Sequence, residues 1–271
     1  LPYFIVLESY PMDSFQHAVI ILAAGLGKRM RSTKPKVLHE LQRQPMIHYI
    51  LNVARKLVSN NIYVVVGYQA DLVKTEIQKF AQVTFVIQKH QLGTGHAVQC
   101  VLPVLNSEIT QVIILCGDTP LIKYQTLQYF LSFHTANQND ISVLVTQVEN
   151  PTGYGRILFN EQNELIDIVE ESDADQNQKK LNVINTGIYA VNRTVLDRLL
   201  HKIDQKNAQN EFYLTDIIRN GKKDNLRMGT VMGNDPIEIM GINSIEDLQH
   251  IEQMLCQRGI KLLDFDSLQQ L

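Results

Sequence analysis

The sequence predicts an α/β protein: a mainly parallel, Rossmann-like twisted sheet with helices on both faces, and a smaller β-rich lobe inserted late. Three observations carry this. Short apolar runs alternate with amphipathic segments as far as residue 121, the rhythm of a parallel sheet with crossover helices. The first run ends in a glycine loop. After residue 145 the alternation loosens and a hairpin signature follows.

The first strand is Ala18-Val-Ile-Ile-Leu22, running into Ala23-Ala24-Gly25. Such a continuous apolar run suits a strand buried on both faces. Met46, Ile47, Ile50, Leu51, Ala54 and Leu57 then recur at helical spacing. Ile62–Val66 reads as a second strand closed by Gly67, and Leu72, Val73, Ile77 and Phe80 mark another helix. Val83–Ile87 is a third strand, Gly93–Leu105 a helix, Val112–Leu115 a fourth strand, and Ile141–Val145 a fifth. Arg156–Phe159 and Leu165–Val169 flank Asn160-Glu-Gln-Asn163, the hairpin signature. Asp173–Lys180 is polar and reads as an exposed loop. Val195, Leu196, Leu199, Leu200 and Ile203 predict one more helix, and Ile245, Leu248, Ile251 and Leu255 the last.

The 271 residues fit one large α/β domain, and an apolar fraction of 45% is enough for a sizeable core. Net charge is -3 with both signs intermixed, so there is no basic stripe of the kind that grips nucleic acid. Cys100, Cys116 and Cys256 are odd in number and widely spaced, which argues against a disulfide framework or zinc site and suits a reducing cytoplasm. No apolar run approaches membrane-spanning length, and Tyr3–Leu7 is too short for a secretory core. Residues 1–15 show no period and read as a loose extension, with Met12 as the expected natural start.

Ligands of open α/β sheets bind outside the carboxyl ends of the strands. The first such end carries Leu22-Ala-Ala-Gly-Leu-Gly-Lys-Arg-Met30. Leu22, Ala23, Ala24, Gly25 and Gly27 form a loop whose small residues let backbone amides face phosphate oxygens. A Walker loop would need glycine at Leu22 and a hydroxyl residue at Arg29; a dinucleotide fingerprint would need a small residue at Met30. Neither holds. What remains is a glycine turn followed by Lys28, Arg29, Arg31, Lys34 and Lys36, cations suited to polyphosphate. A solvated basic loop has the same local pattern.

The fourth strand ends abruptly in Gly117-Asp118, facing the same crevice. A carboxylate there can hold magnesium, which takes few protein oxygens and completes its shell with water and phosphate. A turn or capping aspartate before Pro120 is the alternative.

At this point the residues carry a resemblance. Ala-Ala-Gly-x-Gly-x-Arg-Met followed by Lys34-Pro35-Lys36 is similar to the signature of the sugar-1-phosphate nucleotidyltransferases. The match continues through Gln91-Leu-Gly-Thr-Gly-His-Ala97, Gly117-Asp-Thr-Pro-Leu121, Pro151-Thr-Gly-Tyr-Gly-Arg156, Asn185-Thr-Gly187 and Asn207–Asp216. Over roughly residues 17 to 260 these motifs resemble the uridyltransferase half of the bacterial bifunctional N-acetylglucosamine-1-phosphate uridyltransferases. The resemblance implies a nucleotide-diphospho-sugar transferase fold, and uridylyl transfer from UTP to N-acetylglucosamine 1-phosphate on the route to peptidoglycan. It implies Arg29, Lys36 and Asp118 as catalytic residues and Mg2+ on Asp118 and Asn243. It also implies Gln88 and the Gly93 backbone at the uracil, and Thr94, Gly155, Glu170 and Asn185 at the sugar. Glu211, Phe212 and Tyr213 would wall the acetamido group. Glu171 neighbours Glu170, and only the alignment separates the two.

The expected organisation is an extension over 1–15, a nucleotidyltransferase domain over 16–243 with its sugar-binding lobe, and a helical arm over 244–271. The hexapeptide-repeat acetyltransferase half of those enzymes has no counterpart before Leu271, so acetyl transfer is not expected, and the oligomeric state stays open. Lys28, Cys116 and Asn210 depart from the family pattern without removing a proposed charge or ligand. The same chemistry on another nucleotide and sugar pair is the nearest rival; a noncatalytic nucleotide-sugar sensor is a second, and an oxidoreductase fails at Met30.

Overall fold

A computed structural model describes residues 16–58 and 60–262. The expected extension over 1–15, with Met12, and the end of the arm beyond Leu262 lie outside the described residues.

Among the described residues, nine strands form one sheet: β1 (His17–Ala23), β2 (Ile62–Val66), β3 (Thr84–Ile87), β4 (Gln111–Cys116), β5 (Ile141–Gln147), β6 (Arg156–Phe159), β7 (Leu165–Val169), β8 (Val183–Asn192) and β9 (Met228–Met232). The helices are α1 (Met46–Leu57), α2 (Ala70–Gln78), α3 (Thr94–Gln99), α4 (Tyr124–Ala136), α5 (Arg193–Leu200), α6 (Asp216–Lys223), α7 (Pro236–Ile239) and α8 (Ile245–Gln257). Strand order across the sheet is β9-β5-β8-β4-β1-β2-β3. The run β3-β2-β1-β4 is parallel throughout, with β1 paired to β2 on one side and β4 on the other. The chain reverses its winding between β1 and β4, the crevice where such sheets bind ligands.

Alternation within β1 explains the layers. Ala18 and Ile20 enter one core with residues of α3, α5, α6 and the β6–β7 hairpin. Val19 and Ile21 enter the other with residues of α1, α2 and α4. Both faces of the strand are therefore buried, which is why its sequence is an unbroken apolar run.

Two features differ from the sequence expectation. The segment 93–105 is not one helix: α3 stops at Gln99, and a separate helical turn, Leu102–Val104, contains Pro103, which has no amide to continue the ladder. The β6–β7 hairpin joins the main sheet, β6 pairing with the antiparallel strand β8 at Arg156 and Ile184.

A third cluster docks α8. Leu41, Met46 and Tyr49 meet Ile242, Leu248, Ile251 and Leu255. The helix begins with a capping box: the Asp247 amide donates to Ser244 Oγ at 3.1 Å, and the Ser244 amide to Asp247 Oδ2 at 2.9 Å. The same carboxylate oxygen accepts from the Asn243 amide at 2.8 Å, so the residue before the cap is fixed too.

Ile251 is fully buried in this third cluster. Ile251→Ala is expected to lower the unfolding free energy by about 3 kcal/mol in urea titration. A loss well under 1 kcal/mol would show that α8 is not held by this contact.

Candidate active site

The loop after β1 is shaped around Lys36. Gly27 has φ 59°, and a Cβ there would lie 2.8 Å from Lys36 Cβ, so only glycine lets the lysine stem cross the loop. Lys36 opens a helical turn, Lys36–Leu38, whose Val37 and Leu38 are buried anchors. Met30, also buried, anchors a second turn, Lys28–Met30, and leaves Arg29 exposed beside it. Leu22, next to last in the strand, pairs with Val65 and Cys116. Ala23 and Ala24 are buried, whereas a Cβ on exposed Gly25 would meet nothing within 4 Å. Gly25 therefore presents bare backbone to the crevice.

The end of β4 is bound to this loop. The Gly117 amide donates to Leu22 O at 3.0 Å, and Asp118 follows with its carbonyl accepting from the Ile242 amide at 2.8 Å. That contact brings Asn243 beside Asp118. Lys36 Nζ donates to Asp118 Oδ2 and, at 2.7 Å, to Asn243 Oδ1; Arg29 Nη2 donates to the same Asn243 oxygen at 2.8 Å. Two cations, a carboxylate and an amide oxygen thus converge at the switch point from three separate parts of the chain.

Those two oxygens suit a hard cation. They already face one positive centre, the Lys36 ammonium, which stands where a metal ion would draw on the same donors. Among the described residues there is no group of three or more His, Cys, Asp or Glu arranged for a metal. An ion held here would take most of its ligands from water and phosphate, as magnesium does.

The residues expected at the sugar also come together. A Cβ on Gly155 would lie 3.5 Å from Asn185 Cβ and 3.5 Å from Glu170 Oε2, and the Asn185 amide donates to Gly155 O at 2.9 Å. Glu170 and Glu171 have different environments. Glu171 Oε2 accepts from Arg156 Nη2 at 2.6 Å and from the Gly153 amide at 3.3 Å, pairing a fully buried guanidinium. Glu170 Oε1 accepts from Thr215 Oγ1 at 3.1 Å. Burial raises its pKa above the usual carboxylate range, and Asp173, Asp216 and Glu211 push the same way. A carboxylate with few donors from the protein can accept from hydroxyl groups.

Gln88 and Thr94 are partly engaged by the protein itself. Gln88 is buried, and its Nε2 donates to Gly93 O at 3.0 Å and faces His96 Nδ1 at 3.0 Å. Gly93, at φ 109°, packs so tightly on the 211–212 backbone that a Cβ would come within 2.5 Å of Phe212 O. Thr94 Oγ1 accepts from the Leu214 amide at 3.0 Å. The glycines of this motif therefore also serve close backbone packing, and Glu211, Phe212 and Tyr213 lie against it.

Three neighbours escaped the sequence reading. Asp247 fixes the Asn243 backbone, and the Ser244-x-x-Asp247 spacing of a capping box was its visible signal. Thr215 is the donor to Glu170. Tyr154 is half-buried, and burial, then the charges of Asp247 and Asp118, push its phenol up to about 12. It carries the hairpin loop up to the charged cluster, where a Cβ on Gly153 would lie 3.5 Å from Arg29 Nη1. Nothing in its local sequence announces this.

Comparison with known proteins adds the relatives. The sequence profile of the nucleotidyl transferase family matches residues 18–236. The chain is 42% identical over 246 residues to the bifunctional protein GlmU of Geotalea daltonii, covering 91% of this chain and 54% of that protein. It is 41% identical to that of Pseudomonas paraeruginosa, covering 91% and 55%. It is 38% identical to that of Clostridioides difficile, covering 92% and 55%. The chain therefore spans about half the length of these relatives. Among solved structures, a Bacillus anthracis protein described as a glucose-1-phosphate thymidylyltransferase superposes with a TM-score of 0.70 at 18% identity, covering 92% of this chain and 98% of that one. HddC of Yersinia pseudotuberculosis gives 0.64 at 19%, covering 88% and 99%. At those identities the likeness concerns the fold.

The different settings of the two glutamates are testable. Glu170 has a folded-state pKa above its unfolded one, so the fold favours the protonated form. The cost of ionising it is absent below the ordinary glutamate pKa and grows as pH rises through the raised value. Glu170→Gln is therefore expected to raise the melting temperature at pH 7 and to lose that gain near pH 4. Glu171→Ala, which strips a buried arginine of its partner, is expected to cost about 3 kcal/mol. Equal effects of the two in thermal and urea unfolding would contradict the assignment.

Proposed function

Because the chain belongs to the nucleotidyl transferase family, we propose that it transfers a uridylyl group from UTP to N-acetylglucosamine 1-phosphate, forming UDP-N-acetylglucosamine and pyrophosphate. The observation that carries this reading is the meeting of Arg29, Lys36, Asp118 and Asn243 at the β1–β4 switch point, with Gly155, Glu170 and Asn185 gathered in the hairpin lobe. The kinship with GlmU proteins and the motif resemblance to their uridyltransferase half select the nucleotide and the sugar.

The nucleophile needs no activating base, because a sugar-phosphate oxygen is already ionised near neutral pH. It forms a bond to the α-phosphorus of UTP as the bond to the bridging oxygen breaks, and pyrophosphate leaves with the electron pair. The barrier lies largely in bringing polyanions together, so positioning and charge neutralisation are the main demands on the protein. The Leu22–Gly25 loop offers backbone amides to the triphosphate. Arg29 neutralises charge gathering on the pyrophosphate, and Lys36 neutralises charge around the α-phosphate. Asp118 and Asn243 hold Mg2+, which when bound supplies Lewis-acid polarisation of the phosphoryl oxygens. Gln88 and the Gly93 backbone take the uracil. Thr94, Gly155, Glu170 and Asn185 take the sugar, with Glu211, Phe212 and Tyr213 as the outer wall.

The proposed domain limits are a nucleotidyltransferase domain over 16–243 and an arm over 244–271, with α8 keeping Asn243 in place through Asp247. Among the described residues no helix is long and apolar enough to cross a membrane; the proposed reaction is a cytoplasmic one on water-soluble substrates.

A pyrophosphate-release assay crossing UTP, dTTP, GTP and CTP with several sugar 1-phosphates, with and without magnesium, tests the proposal. Turnover is expected with UTP and N-acetylglucosamine 1-phosphate, and only with the metal. Asp118→Ala is expected to lower kcat by about 100-fold or more while leaving thermal unfolding nearly unchanged. Near-normal turnover in that variant would remove the metal assignment, and turnover confined to another pair would reassign the substrates.

A further inference from the structure

The irregular stretch of β8 lies between Asn185 and Tyr189, where the register against β5 shifts. Its form follows from three contacts. Gly187, at φ 78°, makes room for Cys116, since a Cβ there would lie 2.6 Å from Cys116 Sγ. Thr186 Oγ1 donates to Leu144 O at 2.6 Å, tying the bulge to β5. Asn185 Oδ1 accepts from the Gly187 amide at 3.0 Å, which turns the side chain back along its own strand. Bulges beside functional sites commonly re-aim a side chain in this way.

Tyr189, the residue that restores the register, is only 1% exposed. Its ring lies in the core between the paired positions Ile114 and Val143. Its hydroxyl is buried with it and makes no hydrogen bond. Leaving a buried hydroxyl unpaired is costly, and folded proteins rarely do so without reason. The groups around the phenol are those of the sugar end of the cleft: Glu170, Cys116 and the Asn185 side-chain amide, whose approach to the hydroxyl falls short of a formed hydrogen bond. Glu170 and Asn185 in turn converge over Gly155. The phenol thus lies at the base of the two side chains proposed to receive sugar hydroxyls.

We propose that Tyr189 is a positioning residue of the sugar pocket, whose buried hydroxyl pairs with the Asn185 amide when Asn185 turns onto the bound sugar. In the free protein Asn185 is held by the Gly187 amide and the phenol has no partner; the ligand-bound arrangement supplies one. The hydroxyl therefore contributes to sugar affinity and not to the stability of the empty fold. Cys116 does not compete for this role, because its thiol donates to Gly187 O at 3.6 Å. This inference rests on the reading above that Gly155, Glu170 and Asn185 hold the sugar.

Tyr189→Phe removes the hydroxyl and keeps the ring. Three quantities are compared with the wild type: urea unfolding without ligand, calorimetric affinities for UTP, UDP and UDP-N-acetylglucosamine, and the separate KM and kcat for N-acetylglucosamine 1-phosphate. The expected result is an unfolding midpoint that is unchanged or higher, with unchanged UTP and UDP affinities. Affinity for the sugar nucleotide falls about fivefold, as for the loss of one neutral hydrogen bond, and KM for the sugar phosphate rises by a similar factor with kcat nearly constant. A wild-type affinity for the sugar nucleotide matched by the variant would overturn the role of Tyr189 alone. So would a variant destabilised without ligand, or one whose UTP affinity falls in parallel, since either marks a structural role. A wild type that binds UDP-N-acetylglucosamine no better than UDP would overturn the sugar-pocket reading, and this inference with it.

Discussion

The site depends on one ammonium group held between two oxygens. Lys36 reaches Asp118, 82 positions away, and Asn243, 207 positions away, and Arg29 closes the same cluster from the other side of the loop. Neither oxygen donor is loose. Asp118 leaves a strand whose last amide neighbours are bonded to β1, and Asn243 is fixed by the carboxylate that caps α8. The lysine stem can lie where it does because Gly27 has no side chain. Phosphoryl chemistry asks the protein for positioned charge more than for reactive groups, and here charge is positioned by the sheet, a glycine and a helix cap acting together.

From that cluster the cleft changes character. Around Arg29 and Lys36, cations predominate. Beside the hairpin, Glu170 lies near Asp173, Glu211 and Asp216, and burial is the chief cause that holds the carboxyls of Glu170, Glu211 and Asp216 above their ordinary range. Lys28 acts on Glu211 across this boundary. A substrate that is anionic at one end and rich in hydroxyl donors at the other matches the polarity. The antiparallel strand β8 links the two regions, because it pairs with β4 through its later residues and with the hairpin through Ile184.

Much of the sheet could be read from residue patterns, and the reason is physical. Strands β1, β2 and β4 are buried on both faces, so their sequences are unbroken apolar runs bounded by glycine or polar loops. Beyond β5 the pattern fails where tertiary contacts override it. Strand β8 carries Asn-Thr-Gly in its interior, which reads as a turn and is in fact a bulge. Helix α4 mixes Thr, Gln and aromatic residues and shows no clean stripe, although Leu127, Phe130, Leu131 and His134 are buried. Helix α6 is short and contains Gly221, and β9 is a short edge strand in which only Val231 is buried.

For the site, the glycine loop and the Gly-Asp strand end were visible as chemistry, whereas Asn243 had no local signal beyond its place before a helix. The choice between Glu170 and Glu171 could not be made from sequence either, since it turns on which one Arg156 occupies. Tyr154 and Tyr189 look like ordinary aromatic residues until the fold sets their hydroxyls against the two ends of the cleft.

The central claim is that Asp118 and Asn243 act as one cation-holding pair at a bound nucleotide. Mn2+ titration with saturating UDP-N-acetylglucosamine, following the free-ion signal by electron paramagnetic resonance, tests it most directly. The account predicts one tight site per chain, weakened about tenfold or more by Asp118→Asn and by Asn243→Ala separately. A tight site insensitive to both substitutions would contradict it.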